Sequence, residues 1–250
     1  MTGCRWITVI IMWATLLTTA CAKHGQAVTT SSSEQVCTPV RIAVIQDNTG
    51  SINWTGTPTL TLADFEPLVQ RLQCCGGEFG FGLITEKSSR GLLRLVIGPP
   101  PIKPEEPSKE GNPYKVAERW DSYKKTIAEF NKKNEEWRED SERKIARFKE
   151  DAGIILRNST LAKRSDVWEA IRRVNLFLSE DISAWGQEPL AYAILITDGM
   201  DNVGKERVTS IPGKLILVNG NIGALEGLHP LRFESVGSAV RFVMADAGRK

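Results

Sequence analysis

Two periods run through the apolar positions of this chain, one that fits buried strands and one that fits amphipathic helices. Arg41-Ile42-Ala43-Val44-Ile45-Gln46 is a β-rich run that stops abruptly at the turn formers Asp47-Asn48-Thr49-Gly50-Ser51, which predicts a buried strand feeding a polar loop. Leu62, Phe65, Leu68, Val69 and Leu72 then form a helical stripe that Cys74-Cys75-Gly76-Gly77 closes. Phe79 to Thr85 and Gly91 to Ile97 read as two strands joined by the polar turn Glu86 to Arg90. Later the pattern predicts a helix over Asp166 to Leu178, strands over Ala191 to Thr197, Lys214 to Val218 and Leu231 to Glu234, and a closing helix over Val236 to Ala245.

The middle of the chain departs from this rhythm. Residues 99–114 form a proline-rich stretch, with six prolines between Pro99 and Pro113, expected to act as a stiff connector without regular structure. From Lys115 to Arg157 there is no proline, and Val116, Trp120, Tyr123, Ile127, Phe130 and Trp137 recur at spacings of four and three before one longer gap. Asp121 with Lys125 and Glu129 with Lys133 stand at helical spacing for ion pairs. A single helix over 115–157 would be about 64 Å long at 1.5 Å per residue, so it either projects or folds back near Asn131 to Asn134. Its aromatic stripe reads as a packing seam, internal or coiled-coil, in preference to a small-molecule groove.

Strands interleaved with helices imply an α/β fold, a Rossmann-like, doubly wound and mostly parallel sheet with helices on both faces and a long helical insertion. Ahead of it, Arg5 precedes the short apolar run Ile7 to Leu17, the pattern of a secretion signal. Leu17-Thr18-Thr19-Ala20-Cys21 resembles the lipobox of bacterial lipoproteins, with Thr18 where that family usually has Leu. The resemblance implies lipidation at Cys21 and a location in the bacterial cell envelope, anchored by lipid; an ordinary cleaved signal or a short uncleaved anchor are the alternatives. Residues 1–21 are thus read as the signal peptide, 22–36 as a Ser/Thr-rich flexible tether, and 37–250 as the domain interrupted by the connector and the helical insertion.

Charge and composition narrow the function. With 32 basic and 30 acidic residues there is no electrostatic case for a nucleic-acid partner, and two His residues leave little scope for imidazole catalysis or a His-rich zinc cluster. Cys37, Cys74 and Cys75 are an odd number in an oxidising compartment: Cys37 could pair with either of the others and leave one thiol, or all three could be small core residues.

Two strand ends carry the candidate chemistry. In a doubly wound sheet, ligands bind outside the carboxyl ends of the parallel strands, so Asp47 and Asp198, each followed closely by Gly, should meet at one rim. Asp47-Asn48-Thr49-Gly50-Ser51 resembles the Asp-x-Ser-Gly-Ser motif of von Willebrand factor A (vWA) domains, and Thr197-Asp198-Gly199 resembles their later Thr-Asp-Gly. The resemblance implies a metal-ion-dependent adhesion site holding Mg2+, Mn2+ or Ca2+ on Asp47, Thr49 and Ser51, with Asp198 bound directly or through water. It also implies a hydroxyl from a loop before a helix, for which Ser165 is the best match and Thr160 the reserve; Ser165 could instead be only the helix N-cap. Hard cations prefer oxygen donors, and such a shell leaves one position for the acidic residue of a partner protein.

The reading is therefore a non-enzymatic, metal-dependent protein-binding module tethered to the envelope. Two alternatives stand beside it: a metal-free scaffold lipoprotein, and a haloacid dehalogenase-like phosphohydrolase with Asp47 as nucleophile. The second lacks its general acid, because Thr49 occupies the position where a second carboxyl is needed.

Overall fold

The computed structural model describes residues 37–181, 187–203 and 206–248; the expected signal peptide, Cys21 and tether lie outside the described residues. Six strands form one sheet: β1 (Val40–Asp47), β2 (Gly77–Ile84), β3 (Leu93–Ile97), β4 (Leu190–Ile196), β5 (Lys214–Val218) and β6 (Leu231–Phe233), in the order β3-β2-β1-β4-β5-β6. Every neighbouring pair is parallel except β2 with β3, which the short turn after β2 forces to run antiparallel. This is the strand order of a doubly wound, Rossmann-like sheet, with β1 at its centre.

Alternation along β1 explains the layers. Val40, Ile42 and Val44 face α2 (Leu62–Cys75), the last turns of α3 (Pro113–Asn158) and α5 (Val236–Ala247). Ala43 and Ile45 face α4 (Val167–Ser179) and a 3-10 helix at Ile222–Leu228. Burial on both faces is why the middle of β1, Ile42 to Ile45, is an unbroken apolar run without polar alternation. A four-residue helix, α1 (Ile52–Thr55), and the 3-10 helix are additions the hydrophobic pattern did not mark, both being too short to show a period.

Two glycines are obligatory where helix α2 hands over to β2. Gly76 caps the helix by donating its N–H to Leu72 O, and Gly77 has φ +143° with a hypothetical Cβ only 2.2 Å from Val40 O, so no other residue lets β2 approach β1 here. Beside them Cys37 and Cys75 form a disulfide, which settles the pairing left open by sequence; Cys74 is exposed and outside it.

α3 is one continuous helix of 46 residues, about 69 Å long, and does not fold back at Asn131 to Asn134. It begins earlier than expected, at Pro113, because Pro fits the first helical turn and Asn112 caps it through Tyr114 N; the connector therefore ends at Asn112. Its C-terminal turns bury Ser141, Ile145, Phe148 and Ala152, with the Phe148 ring 5.1 Å from that of Phe79. Ahead of these turns the aromatic stripe is half-buried by the chain's own proline segment. Trp137 Nε1 donates to Gly98 O at 3.0 Å, Lys109 Nζ lies 5.9 Å from the centre of the Trp120 ring, and Arg119 donates to Glu110 O at 2.7 Å. Between these anchors Pro101, Pro104 and Pro107 are half-buried at every third position, the period of a polyproline II helix, so the segment runs back along α3. Of the surface charges, Asp121 pairs with Lys124 where Lys125 had been expected. Among the described residues no helix is long and apolar enough to cross a membrane.

Candidate metal centre

Parallel pairing of β1 with β4 decides where the two aspartates sit. Gln46 is in register with Ile196, so Asp47 and the Thr197-Asp198 pair leave the sheet side by side at its carboxyl rim. Three loops meet there. The loop after β1 is tied to the one before α4 by an isolated parallel bridge of Thr49 with Ala162, by Gly50 N to Ala162 O at 3.2 Å, and by the Asn48 amide donating to Thr160 O at 2.8 Å. The loop after β4 is tied to the same segment by Asn202 N to Ser165 O at 3.0 Å and Val167 N to Asp201 Oδ1 at 2.9 Å.

Ser165 is not the N-cap of α4. Asp166 fills that role, its side chain accepting from Glu169 N, which leaves the Ser165 hydroxyl to point at Asp47 Oδ2 at 3.4 Å. Thr160 takes part through its carbonyl, which holds Asn48 in place.

Asp47 is fully buried and accepts on both oxygens: Oδ1 from Thr49 N at 3.0 Å and Thr49 Oγ1 at 2.7 Å, Oδ2 from Thr197 Oγ1 at 2.7 Å and from Ser165. Thr49 Oγ1 and Ser51 Oγ stand 3.0 Å apart. With its own proton turned to Asp47, Thr49 receives that of Ser51. Asp198 is also buried; its Oδ1 accepts from Met200 N at 2.9 Å, closing a tight turn, while Oδ2 has no hydrogen-bond partner among the described residues. Gly199 makes that turn possible with φ +80°, and its N–H donates to Thr197 Oγ1 at 3.0 Å.

The rim thus brings Asp47, Thr49, Ser51 and Ser165 into one hydrogen-bonded cluster with Asp198 at its side. Thr197, which holds Asp47, and Asp201, which holds the start of α4, are positioning residues that motif reading did not single out. Thr197 was visible as part of Thr-Asp-Gly; nothing local distinguishes Asp201, because its partner is 34 residues away.

Electrostatically the site is under-compensated. Burial pushes the Asp47 carboxyl above the ordinary carboxylate range, the hydrogen bonds from Thr197 and Thr49 oppose that, and the charge of Asp198 adds to it. Among the described residues no Lys or Arg forms an ion pair with either aspartate. Two buried carboxylates, one with an orphaned oxygen, fit a bound cation. Among the described residues no group of three or more His, Cys, Asp and Glu is placed to hold a metal, so any cation here must rely on Ser and Thr hydroxyls for much of its shell. A cavity of about 910 Å3 lined by Arg41, Tyr192, Lys214 and Asp246 opens at the amino ends of β1 and β4, away from this rim.

Comparisons with protein-family models, with curated proteins and with solved structures find no match to this chain.

Proposed function

We propose that this protein is a divalent-metal-dependent protein-binding module of vWA type, exported and held at the bacterial cell envelope by a lipid on Cys21. The observation that carries the metal reading is the pair of buried aspartates, Asp47 and Asp198, without an ion pair to Lys or Arg among the described residues and gathered with the Thr49, Ser51 and Ser165 hydroxyls at one rim. Mg2+, or Mn2+ or Ca2+, would be held by Asp47, Thr49 and Ser51, with Ser165 and Asp198 directly or through water, and would supply a Lewis-acidic position for a partner's carboxylate. The chain's own residues do the rest: Thr197 fixes Asp47, Asp201 fixes the loop carrying Ser165, and Asn48 locks the first loop to the second.

The strand order supports a doubly wound fold in general, and the position of both motifs at the carboxyl ends of neighbouring parallel strands is what supports the vWA reading within it. Support for the anchor comes from the sequence alone, from the apolar leader and the Ala20-Cys21 junction. Thr49 in place of a second acid argues against a phosphohydrolase at Asp47.

Calorimetry with Mg2+ on the full chain, compared with Asp47→Ala and Asp198→Ala, tests the proposal. Heat of binding with the wild type and none with either variant is expected; equal heats in all three would remove the site.

A further inference from the structure

The segments that build the candidate metal centre also carry exposed large apolar side chains. Trp54 is 90% exposed, Met200 55% and Leu161 50%, and each comes from a different one of the three converging loops. Trp54 lies on α1 directly after Ser51, its N–H donating to Ser51 O at 2.9 Å. Met200 follows Gly199 and is joined through its N–H to Asp198 Oδ1. Leu161 sits between Thr160 and Ala162, the two residues whose carbonyls clamp Asn48 and Gly50. None of the three belongs to the buried core, and their places close in sequence to Ser51, Thr160 and Asp198 set them apart from the exposed apolar residues scattered elsewhere. Trp and Met are among the residue types enriched at the buried centres of protein interfaces.

Beyond Leu161 the same loop presents the exposed cations Lys163 and Arg164; Glu86 faces that loop, accepting from Lys163 N at 3.1 Å, and Asp201 lies on the neighbouring one. The rim therefore combines an oxygen cradle that fits a cation, two exposed basic side chains and three apolar ones. A carboxylate reaching a hydrated Mg2+ in open water gains little, since water competes for the same position; an apolar ring closing around the contact excludes that water and strengthens the bond.

We infer that Trp54, Leu161 and Met200 form an apolar collar that selects a protein segment in which a single Asp or Glu is flanked by large apolar side chains. This rests on the metal-dependent reading above and adds the chemistry of the partner. The carboxylate completes the metal shell, its apolar neighbours cover Trp54 and Met200, and Lys163 and Arg164 favour acidic over basic approach.

The test uses the full chain and three fluorescently labelled peptides: a central Asp flanked by Phe and Leu, the same Asp flanked by Gly and Ser, and the first peptide with Asn for Asp. Anisotropy is read with Mg2+ and with chelator, and Mg2+ is titrated alone by calorimetry. The apolar-flanked Asp peptide should bind in Mg2+ about tenfold more tightly than the Gly/Ser-flanked one, the Asn peptide should not bind, and chelator should abolish binding. Trp54→Ser and Met200→Ser should each remove most of that preference, whereas Leu176→Ser, an exposed leucine late in α4, should keep it; circular dichroism melts verify that each variant is folded. Equal affinity for the two Asp peptides, a preference that survives both collar substitutions, or no peptide binding by a wild type that takes up Mg2+ would each overturn the collar. Absence of any Mg2+ heat with the wild type would overturn the metal reading beneath it.

Discussion

Replacing Asp47 by Asn should have opposite effects on stability with and without metal. The substitution keeps the shape of the side chain, and its amide oxygen can still accept from Thr49 N and Thr49 Oγ1, while its NH2 faces the Thr197 and Ser165 hydroxyls, which can turn to accept. What disappears is a fully buried charge that burial and Asp198 both disfavour and that no Lys or Arg among the described residues neutralises. A stabilising single substitution commonly returns about 0.5–2 kcal/mol, and relief of this buried charge is expected within that range. With about 2–4 °C per kcal/mol for a domain of this size, the chelated Asn variant should melt several degrees above the chelated wild type. Metal reverses the ranking. At a Mg2+ concentration one hundred times its Kd the wild type gains about 2.7 kcal/mol by mass action, a rise of roughly 5–11 °C, and the variant gains nothing. Differential scanning fluorimetry on both proteins, with chelator and with Mg2+, reads all four midpoints. A variant less stable than wild type in chelator would show that the carboxylate is structurally satisfied without a cation, and equal Mg2+ shifts in both would place the ion elsewhere.

Four further outcomes follow from the packing. Thr197→Val removes a buried donor to Asp47 Oδ2 and the acceptor for Gly199 N, and should cost about 1–3 kcal/mol in urea unfolding even with chelator present. Arg41, buried beside Glu78 at 3.4 Å and donating to the carbonyls of Leu178 and Glu180, cannot be replaced cheaply: Arg41→Met should cost about 3–5 kcal/mol by the same measurement. Reducing the Cys37–Cys75 bridge, which spans 38 residues, should lower stability by about 4 kcal/mol on the loop-entropy estimate, and Cys74→Ser should leave that loss unchanged; a loss that vanishes in Cys74→Ser would mean a different pairing. Replacing Pro101, Pro104 and Pro107 together by Gly should raise hydrogen-exchange rates in the first turns of α3 while leaving Ile145 to Ala152 protected, since only the former lean on the proline segment.

Much of the fold was legible because its decisive signals are local. Nine of the predicted elements lie within a few residues of the observed ones, and β5 was read at its observed limits, because a buried strand or an amphipathic helix writes its period into consecutive residues. What escaped was set by distant partners. The proline segment read correctly as lacking helix and strand, yet its docking onto Trp120 and Trp137 is a relation between two stretches that no single window contains.

At the candidate centre the same distinction separates the donors from the groups that aim them. Asp47, Thr49 and Ser51 share one turn and Asp198 stands at the end of a matching strand, so chemistry and topology together bring them into view. Ser165 was ambiguous between cap and donor because a hydroxyl before a helix suits both roles; the neighbouring Asp166 resolves it by satisfying the helix end itself, which frees Ser165 for Asp47 across 118 residues of sequence. That division has a functional consequence. A helix end already capped does not compete for Ser165, so a cation entering the rim would take up a hydroxyl whose loss α4 does not feel. Ser165→Ala should therefore weaken Mg2+ heat in calorimetry while shifting the chelated unfolding midpoint far less than Asp166→Ala, and the reverse ranking would return Ser165 to a purely structural role.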